Sequence, residues 1–369
     1  MRLILAGGGT GGHLFPGLAV AREFQRRDAM TEILFVGTGL GIESRVLPSE
    51  GFPLETLPIK GIKGRGLRGL FEALYGIPAS LFHSLRIIRR FRPQCIIGLG
   101  GYASGPMLLA GKMKGIRCAI MEQNLRPGFT NRILGWFVDR IFTSYAESAA
   151  YFWRRSRVVD SGNPVRWHRL PEVARDGRFT LLVFGGSAGA RSINLCVLDA
   201  LEQFRDLAPG LRVLHQTGAA DFVLVQARYQ GLPFEAEVLP FIQKMDEAYA
   251  RADLVLCRAG AGTVAELTAF GKAAILVPYP YAIYDHQRWN AQALTERGAA
   301  EMILDRELSG ERLAGLIRAL YNDRGRLEAM ARAAAKLGRR EAAERIVDEC
   351  YALVQSKGFK GSRVQGFKG

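Results

Sequence analysis

The sequence is poor in paired cysteines, in clustered metal ligands and in long apolar runs, and each shortage removes a class of protein. Its five cysteines, Cys95, Cys118, Cys196, Cys257 and Cys350, lie far apart with no Cys-x-x-Cys pair. That spacing fits neither a zinc site nor a secreted disulfide framework, and a reducing cytoplasm is the expected setting. No Asp-x-Asp pair, His-x-x-x-His pair or Glu-rich cluster occurs, so no metal site is expected and a chelated diphosphate would lack protein ligands. The longest uncharged window, Cys95 to Gly111, holds 17 residues and five glycines, short for a membrane span and better suited to strand, turn and helix start. The opening MRLILAGGGTGG breaks into glycine instead of continuing into a signal-peptide core, so neither export nor a transmembrane helix is expected.

What is present describes a globular α/β protein. The 369 residues are 48% hydrophobic and 23% charged, enough apolar material for about two domains. The net charge of +15 is uneven: residues 1–170 carry 24 Lys and Arg against 11 Asp and Glu, and the remainder 26 against 24. A polyanion or an anionic membrane surface contacted by the first half would account for that asymmetry.

Short aliphatic runs (Leu3 to Ala6, Ile33 to Gly37, Leu54 to Ile59, Cys95 to Leu99, Ile116 to Met121) alternate with helical patterns, which predicts parallel sheets covered by helices. TLLVFGGSAGARSIN at 180–194 repeats the strand, glycine turn and helix logic of LILAGGGTGGHLFPG at 3–17, so two similar domains are expected. The divisions expected are 1–163, 164–345 and a C-terminal helix end with a basic tail at 346–369, with a linker at 161–177 and the interdomain cleft as the default site.

The turn Gly7 to Gly12 contains G-x-G-x-x-G between a strand and a helix. The second strand ends in Gly37-Thr38 without the ribose-holding acid of nicotinamide enzymes, and no lysine completes a Walker loop. Backbone amides and Thr10 at a helix N-terminus remain, with His13 in the first turn as the best base candidate, able to meet phosphate or a reacting hydroxyl. RAGAGTVAEL at 258–267 suggests a second anion site, a helix starting near Thr263 with Glu266 placed to bridge ribose hydroxyls. GGSAGAR at 185–191 adds Ser187, and YDHQRWNA at 284–291 sets Asp285, His286 and Gln287 at a helix start.

Residues 60–92 hold eight Lys and Arg, one acid (Glu72) and regularly spaced leucines and aromatics, a composition suited to an anionic membrane surface. Pro78 is expected to break or kink its helix. Nucleic-acid binding is not expected, since no recognised motif accompanies the basic residues.

Taken together, GGGTGGH (7–13), GLGGYASGP (98–106), EQN (122–124), GNPVR (162–166), GGSAGARSIN (185–194), CRAGAGTVAE (257–266) and DHQRWNA (285–291) resemble the MurG family. These are the peptidoglycan glycosyltransferases that add N-acetylglucosamine to lipid I. The resemblance implies the GT-B fold, two Rossmann-like domains facing a cleft, and no cofactor. It implies inverting transfer from UDP-GlcNAc to the C4 hydroxyl of MurNAc in undecaprenyl-diphospho-MurNAc-pentapeptide, giving lipid II. It also implies a peripheral location on the cytoplasmic face of the cell membrane, with cell-wall synthesis proteins as partners. It assigns Gly8, Gly9, His13, Gly100, Gly101, Tyr102 and Asn124 to the acceptor. The donor side takes Arg166, Ser187, Ile242, Ala261, Gly262, Thr263, Val264, Ala265, Glu266 and Gln287, with Thr10, Gly11, Gly12 and Asn124 reaching the donor sugar. His13 is the expected base, with Glu122 as a competing carboxylate. Ala188, where the family commonly has glutamine, and Gly262, where a larger apolar residue is common, are departures that put sugar selectivity in question.

Three alternatives share parts of this pattern. A diacylglycerol glycosyltransferase would share the donor motifs but not the GGTGGH loop. A non-hydrolysing UDP-GlcNAc epimerase would have no use for the basic apolar stretch. A catalytically idle scaffold would not need His13, Glu266 and Gln287 together.

Overall fold

The computed structural model describes all residues except Leu40, residues 59–65, Pro209 and residues 362–369; the side chains of residues 66–75, Ile77, Ile283 and residues 357–361 also lie outside the description. The chain divides into two compact units, Met1–Arg166 with Arg340–Gly369, and Trp167–Arg339. The divisions fall a few residues from the 163/164 and 345/346 boundaries read from the sequence, and the C-terminal segment joins the first unit.

In the first unit, strands β1 (Arg2–Gly7), β2 (Glu32–Gly37), β3 (Leu54–Thr56), β4 (Cys95–Gly100), β5 (Arg117–Glu122), β6 (Arg140–Thr143) and β7 (Val158–Asp160) form a parallel sheet in the order β3-β2-β1-β4-β5-β6-β7. Its helices are α1 (Gly11–Arg27), α2 (Glu43–Ser49), α3 (Gly66–Phe91), α4 (Ser104–Met113) and α5 (Phe129–Leu134). Because strand side chains alternate between faces, β1 can be apolar throughout and still bury every residue. Leu3 and Leu5 meet Leu14 and Leu18 of α1 on one face, while Ile4 joins Ile87, Ile88, Met107 and Leu108 of α3 and α4 on the other. Each such side chain contributes roughly 1.5–3 kcal/mol of burial free energy.

The second unit repeats the plan with β8 (Phe179–Phe184), β9 (Leu211–Gln216), β10 (Glu235–Leu239), β11 (Leu254–Cys257), β12 (Ala273–Leu276) and β13 (Ala300–Met302), all parallel in the order β10-β9-β8-β11-β12-β13. Helices α6 (Arg191–Ala200), α7 (Phe222–Tyr229), α8 (Met245–Arg251), α9 (Ala261–Phe270), α10 (His286–Thr295), α11 (Gly310–Asn322) and α12 (Arg324–Leu337) cover it. In both sheets the chain leaves the first strand in one direction and later returns on its other side, so the strand order reverses there, and ligands in such sheets sit beyond the carboxyl ends at that point.

The last helix, α13 (Ala342–Gly361), does not extend the second unit. Ile346, Val347 and Cys350 bury against α1 and β4, and a hydrogen bond from Cys350 together with burial pushes the Cys95 thiol well up. The helix runs into the basic tail expected at 346–369, of which residues 362–369 lie outside the described residues.

Helix α3 runs without interruption through Pro78. Of the basic apolar stretch at 60–92, the side chains of 60–75 and 77 lie outside the described residues. In the described part, Leu81 and Leu85 pack against the sheet core beside Ile87 and Ile88, which corrects the expectation that these leucines face a surface. Phe82 is 68% exposed, and Arg86, Arg89, Arg90 and Arg92 are exposed. Among the described residues no helix is long and apolar enough to cross a membrane.

Candidate active site

The strands β1, β4 and β5 end side by side, and from those ends come the residues the sequence singled out in the first half. Gly8 and Gly9 carry the chain from β1 to Thr10, which takes the N-cap position of α1 in an extended conformation. Gly11, Gly12 and His13 form the first turn of that helix. The His13 Nδ1 lies 3.1 Å from Oε1 of Gln123, and Gln123 donates through Nε2 to the Leu99 carbonyl at 2.9 Å. Gly100 passes directly beneath the imidazole: a Cβ there would sit 2.7 Å from Nδ1 and Cε1, and its φ of +106° is one that side-chain-bearing residues rarely adopt. Ser104 ties the two strand ends together, accepting from the Gly100 amide at 3.1 Å and donating to the Ala6 carbonyl at 2.7 Å. Gly101 and the half-exposed Tyr102 follow at the same edge.

The glycine turn rests on a buried carboxylate that the sequence reading missed. Glu43 at the start of α2 accepts from the Gly9 amide at 2.9 Å through Oε2 and from the Thr38 hydroxyl at 3.1 Å through Oε1. Burial pushes its pKa up, but the donors from Gly9, its own amide and Thr38 outweigh burial and hold it below the ordinary carboxylate range. The signal was a lone acid in the stretch GTGLGIES, six residues beyond the strand end where a ribose-holding acid was sought.

Glu122, the last residue of β5, is buried, and burial pushes its pKa up against the opposing pull of its donors. Those donors are the Asn124 amide at 3.0 Å, the Asn124 side chain at 3.3 Å, the Gly128 amide at 3.1 Å and the Asn131 side chain at 2.9 Å. Both carboxylate oxygens are thus engaged in folding their own loop, which brings Asn124 to the strand end that also carries Gln123. Arg166, which the sequence placed in the second domain on the donor side, lies in the first unit, its guanidinium 4.2 Å over the ring of Phe15 on α1.

In the second unit, the turn after β8 carries Ser187 and Ala188, both exposed, and enters α6 through Gly189. A Cβ at Gly189 would fall 2.0 Å from the Thr217 carbonyl, with φ +80°, so the turn can pack against the end of β9 only as glycine. Gln216, a second residue the sequence reading passed over, holds this arrangement: its Nε2 donates to the Gly186 carbonyl at 2.8 Å and its Oε1 accepts from the Ile242 amide at 2.9 Å. Beneath it, His215 is fully buried between Tyr229 and Asn194, each 3.1 Å from one ring nitrogen, and burial pushes its pKa down to about 3.

Helix α9 begins at Ala261, two residues before the expected start, so Ala261, Gly262 and Thr263 make up its first turn. Gly260 at the N-cap offers no side-chain cap. Val264 is buried, Ala265 half-buried, and Glu266 accepts from the hydroxyl of the fully buried Tyr249 at 3.0 Å. Gln287 in the first turn of α10 accepts from the Tyr279 amide at 3.0 Å; the preceding Tyr284 and Asp285 both have left-handed φ, near +55°. The structure therefore gathers Ser187, Ile242, Ala261 to Glu266 and Gln287 into the second unit. Gly8 to His13, Gly100 to Tyr102, Glu122, Asn124 and Arg166 belong to the first. Among the described residues no group of three His, Cys, Asp or Glu side chains is placed to hold a metal ion.

Comparison with known proteins agrees with this division. The glycosyltransferase family 28 N-terminal domain matches residues 3–143, and the family 28 C-terminal domain matches residues 180–346. The chain is 50% identical, over 96% of its length and 99% of the relative's, to the UDP-N-acetylglucosamine-N-acetylmuramyl-(pentapeptide) pyrophosphoryl-undecaprenol N-acetylglucosamine transferase of Syntrophus aciditrophicus (strain SB). The crystal structure of MurG from Acinetobacter baumannii superposes with a TM-score of 0.78 at 31% identity, covering 95% of this chain and 99% of that one. A UDP-GlcNAc 2-epimerase from Neisseria meningitidis, bound to UDP-GlcNAc, shares the fold with a TM-score of 0.67 at 14% identity, covering 95% of this chain and 100% of that one. With both domain models matched in order and half of all residues shared with a named transferase, the chain belongs to glycosyltransferase family 28, among its MurG-type N-acetylglucosamine transferases.

Proposed function

We infer that the chain transfers N-acetylglucosamine from UDP-GlcNAc to the MurNAc sugar of undecaprenyl-diphospho-MurNAc-pentapeptide, converting lipid I to lipid II. The observation that carries this reading is the 50% identity to the transferase across 96% of the chain; the geometry supplies a division of labour consistent with it. The acceptor C4 hydroxyl gives its proton to Nε2 of His13 as its oxygen bonds to the anomeric carbon with inversion. The bond from that carbon to the diphosphate breaks, and its electron pair leaves with UDP. The charge arriving on the diphosphate meets the amides of Ala261, Gly262 and Thr263 and the positive end of α9, assisted by Ser187 and the second glycine turn. Glu266, anchored by Tyr249, accepts from the ribose hydroxyls, and Ile242 and Gln287 complete the donor contacts. Thr10 to Gly12 and Asn124 contact the transferred sugar, and Gly8, Gly9, Gly100, Gly101 and Tyr102 the acceptor. Glu122, its oxygens engaged, positions Asn124 and leaves proton transfer to His13.

The first unit is also the one we assign to an anionic membrane surface on the cytoplasmic side. Besides Phe82, Arg86, Arg89, Arg90 and Arg92 of the basic stretch, it exposes Phe129, Ile133, Trp136 and Trp153 with Arg132, Arg154 and Arg155 around them, and the two tryptophans stack at 5.9 Å between ring centroids. Tryptophan beside arginine suits the headgroup region, where the ring is half-buried and the cation meets phosphate.

Measuring UDP release from UDP-GlcNAc with and without a lipid I analogue, with mass detection of the disaccharide product, tests the reading. Acceptor-dependent release with that product is expected; release without acceptor, or none with a folded protein that binds UDP, overturns it. Sedimentation with anionic vesicles is expected to weaken as salt rises.

A further inference from the structure

We propose that Gln123 is the positioning residue that decides which nitrogen of His13 is basic. The proposal rests on the reading of His13 as the base and adds to it a cause. The Gln123 side chain is 2% exposed, and its orientation follows from its partners. The Leu99 carbonyl can only accept, so the amide nitrogen must face it, at 2.9 Å, and the amide oxygen must face His13. That oxygen can also only accept, so the contact of 3.1 Å requires a proton on His13 Nδ1. In the neutral ring the lone pair then lies on Nε2.

Neutral histidine in water favours the opposite tautomer, with the proton on Nε2, which has no basic nitrogen at that position. Gln123 therefore reverses the intrinsic preference, as the carboxylate does for the histidine of a serine-protease triad. The partner here is an uncharged amide and brings no negative charge to the ring. The choice is built into the sheet: Leu99 lies in β4 and Gln123 directly follows β5, and these strands are paired neighbours. Gly100 closes the other side, since any side chain there would push the ring away from the amide.

The test uses the full chain labelled with 15N-histidine, which has only five histidines, with His13→Ala identifying the His13 signals. Two-bond proton–nitrogen spectra of the neutral ring are expected to show a protonated Nδ1 and an unprotonated Nε2. In Gln123→Met, which keeps the length and removes both polar atoms, the tautomer is expected to move toward protonated Nε2. Its kcat is expected to fall about 10- to 100-fold. KM for UDP-GlcNAc should stay within about 2-fold, since ground-state binding of the donor is untouched. A wild-type spectrum with the proton on Nε2 overturns the proposal without any variant, so it stays decidable if Gln123→Met does not fold. A folded Gln123→Met with wild-type kcat and unchanged tautomer overturns it equally, while the reading of His13 as base survives. If His13→Ala itself keeps the wild-type rate, the base assignment fails and takes this proposal with it.

Discussion

The two glycine turns begin alike, with a parallel strand ending at a helix, and they are held in place by different means. In the first unit the supporting groups reach the turn from other segments: Glu43 grips the Gly9 amide, and Gln123 aligns an imidazole in the first helical turn. In the second unit the supports are neutral, with Gln216 bridging the Gly186 carbonyl and the Ile242 amide above the uncharged His215. One turn presents an oriented side chain, whereas the other presents the exposed Ser187 and Ala188 ahead of a helix. Duplicating a fold thus duplicates the place where a ligand sits, and the chemistry at each place is set by what lies under the turn.

The comparison breaks most sharply at His13. His13→Ala should lower kcat by about 10²- to 10⁴-fold while leaving UDP-GlcNAc binding nearly unchanged, because it removes proton transfer and nothing from the donor half. Steady-state kinetics with both substrates varied would measure it. Glu266→Gln should act on the other half, weakening UDP binding by about 10- to 100-fold through loss of charge-assisted hydrogen bonds to ribose, as read by calorimetry. A loss confined to kcat would reassign Glu266.

Glu43→Gln tests the support. It exchanges an acceptor oxygen for a donor facing other donors, and a loss of about 1–3 kcal/mol in unfolding free energy is expected at neutral pH. Because the folded pKa of Glu43 is depressed, its stabilisation is complete above the ordinary carboxylate pKa and is lost as pH falls through the folded value. The difference in Tm between wild type and variant should therefore shrink on acidification. At the small end stands Gly262→Ala. A Cβ at Gly262 meets nothing within 4 Å, so stability should change by less than about 0.5 kcal/mol and the variant should remain active. A marked rise in KM for UDP-GlcNAc would place the sugar or diphosphate against that position.

Most of the fold could be read in advance because each parallel strand is buried on both faces and is therefore a continuous aliphatic run. The glycine turns were visible for a related reason, since glycine is required wherever such a strand turns sharply into a helix. The supports were not. Gln123 lies 110 residues from His13, and they meet only because β5 pairs with β4, which pairs with β1. Within the motif EQN, Glu122 stands out by its charge and Asn124 by the family resemblance, while a buried glutamine has no pattern of its own. Arg166 was assigned to the wrong unit because a linker rich in proline and polar residues does not reveal on which side its last cation packs.

The return of α13 to the first unit has a consequence for the order in which the protein can be completed during synthesis. The second unit is one unbroken stretch, Trp167–Arg339, and all of it has been translated before residue 340 is added. The first unit, although its strands are made earliest, waits for Ile346, Val347 and Cys350 to seal the face formed by α1 and β4. A nascent chain therefore finishes its second unit while the unit bearing His13 still has an open apolar face.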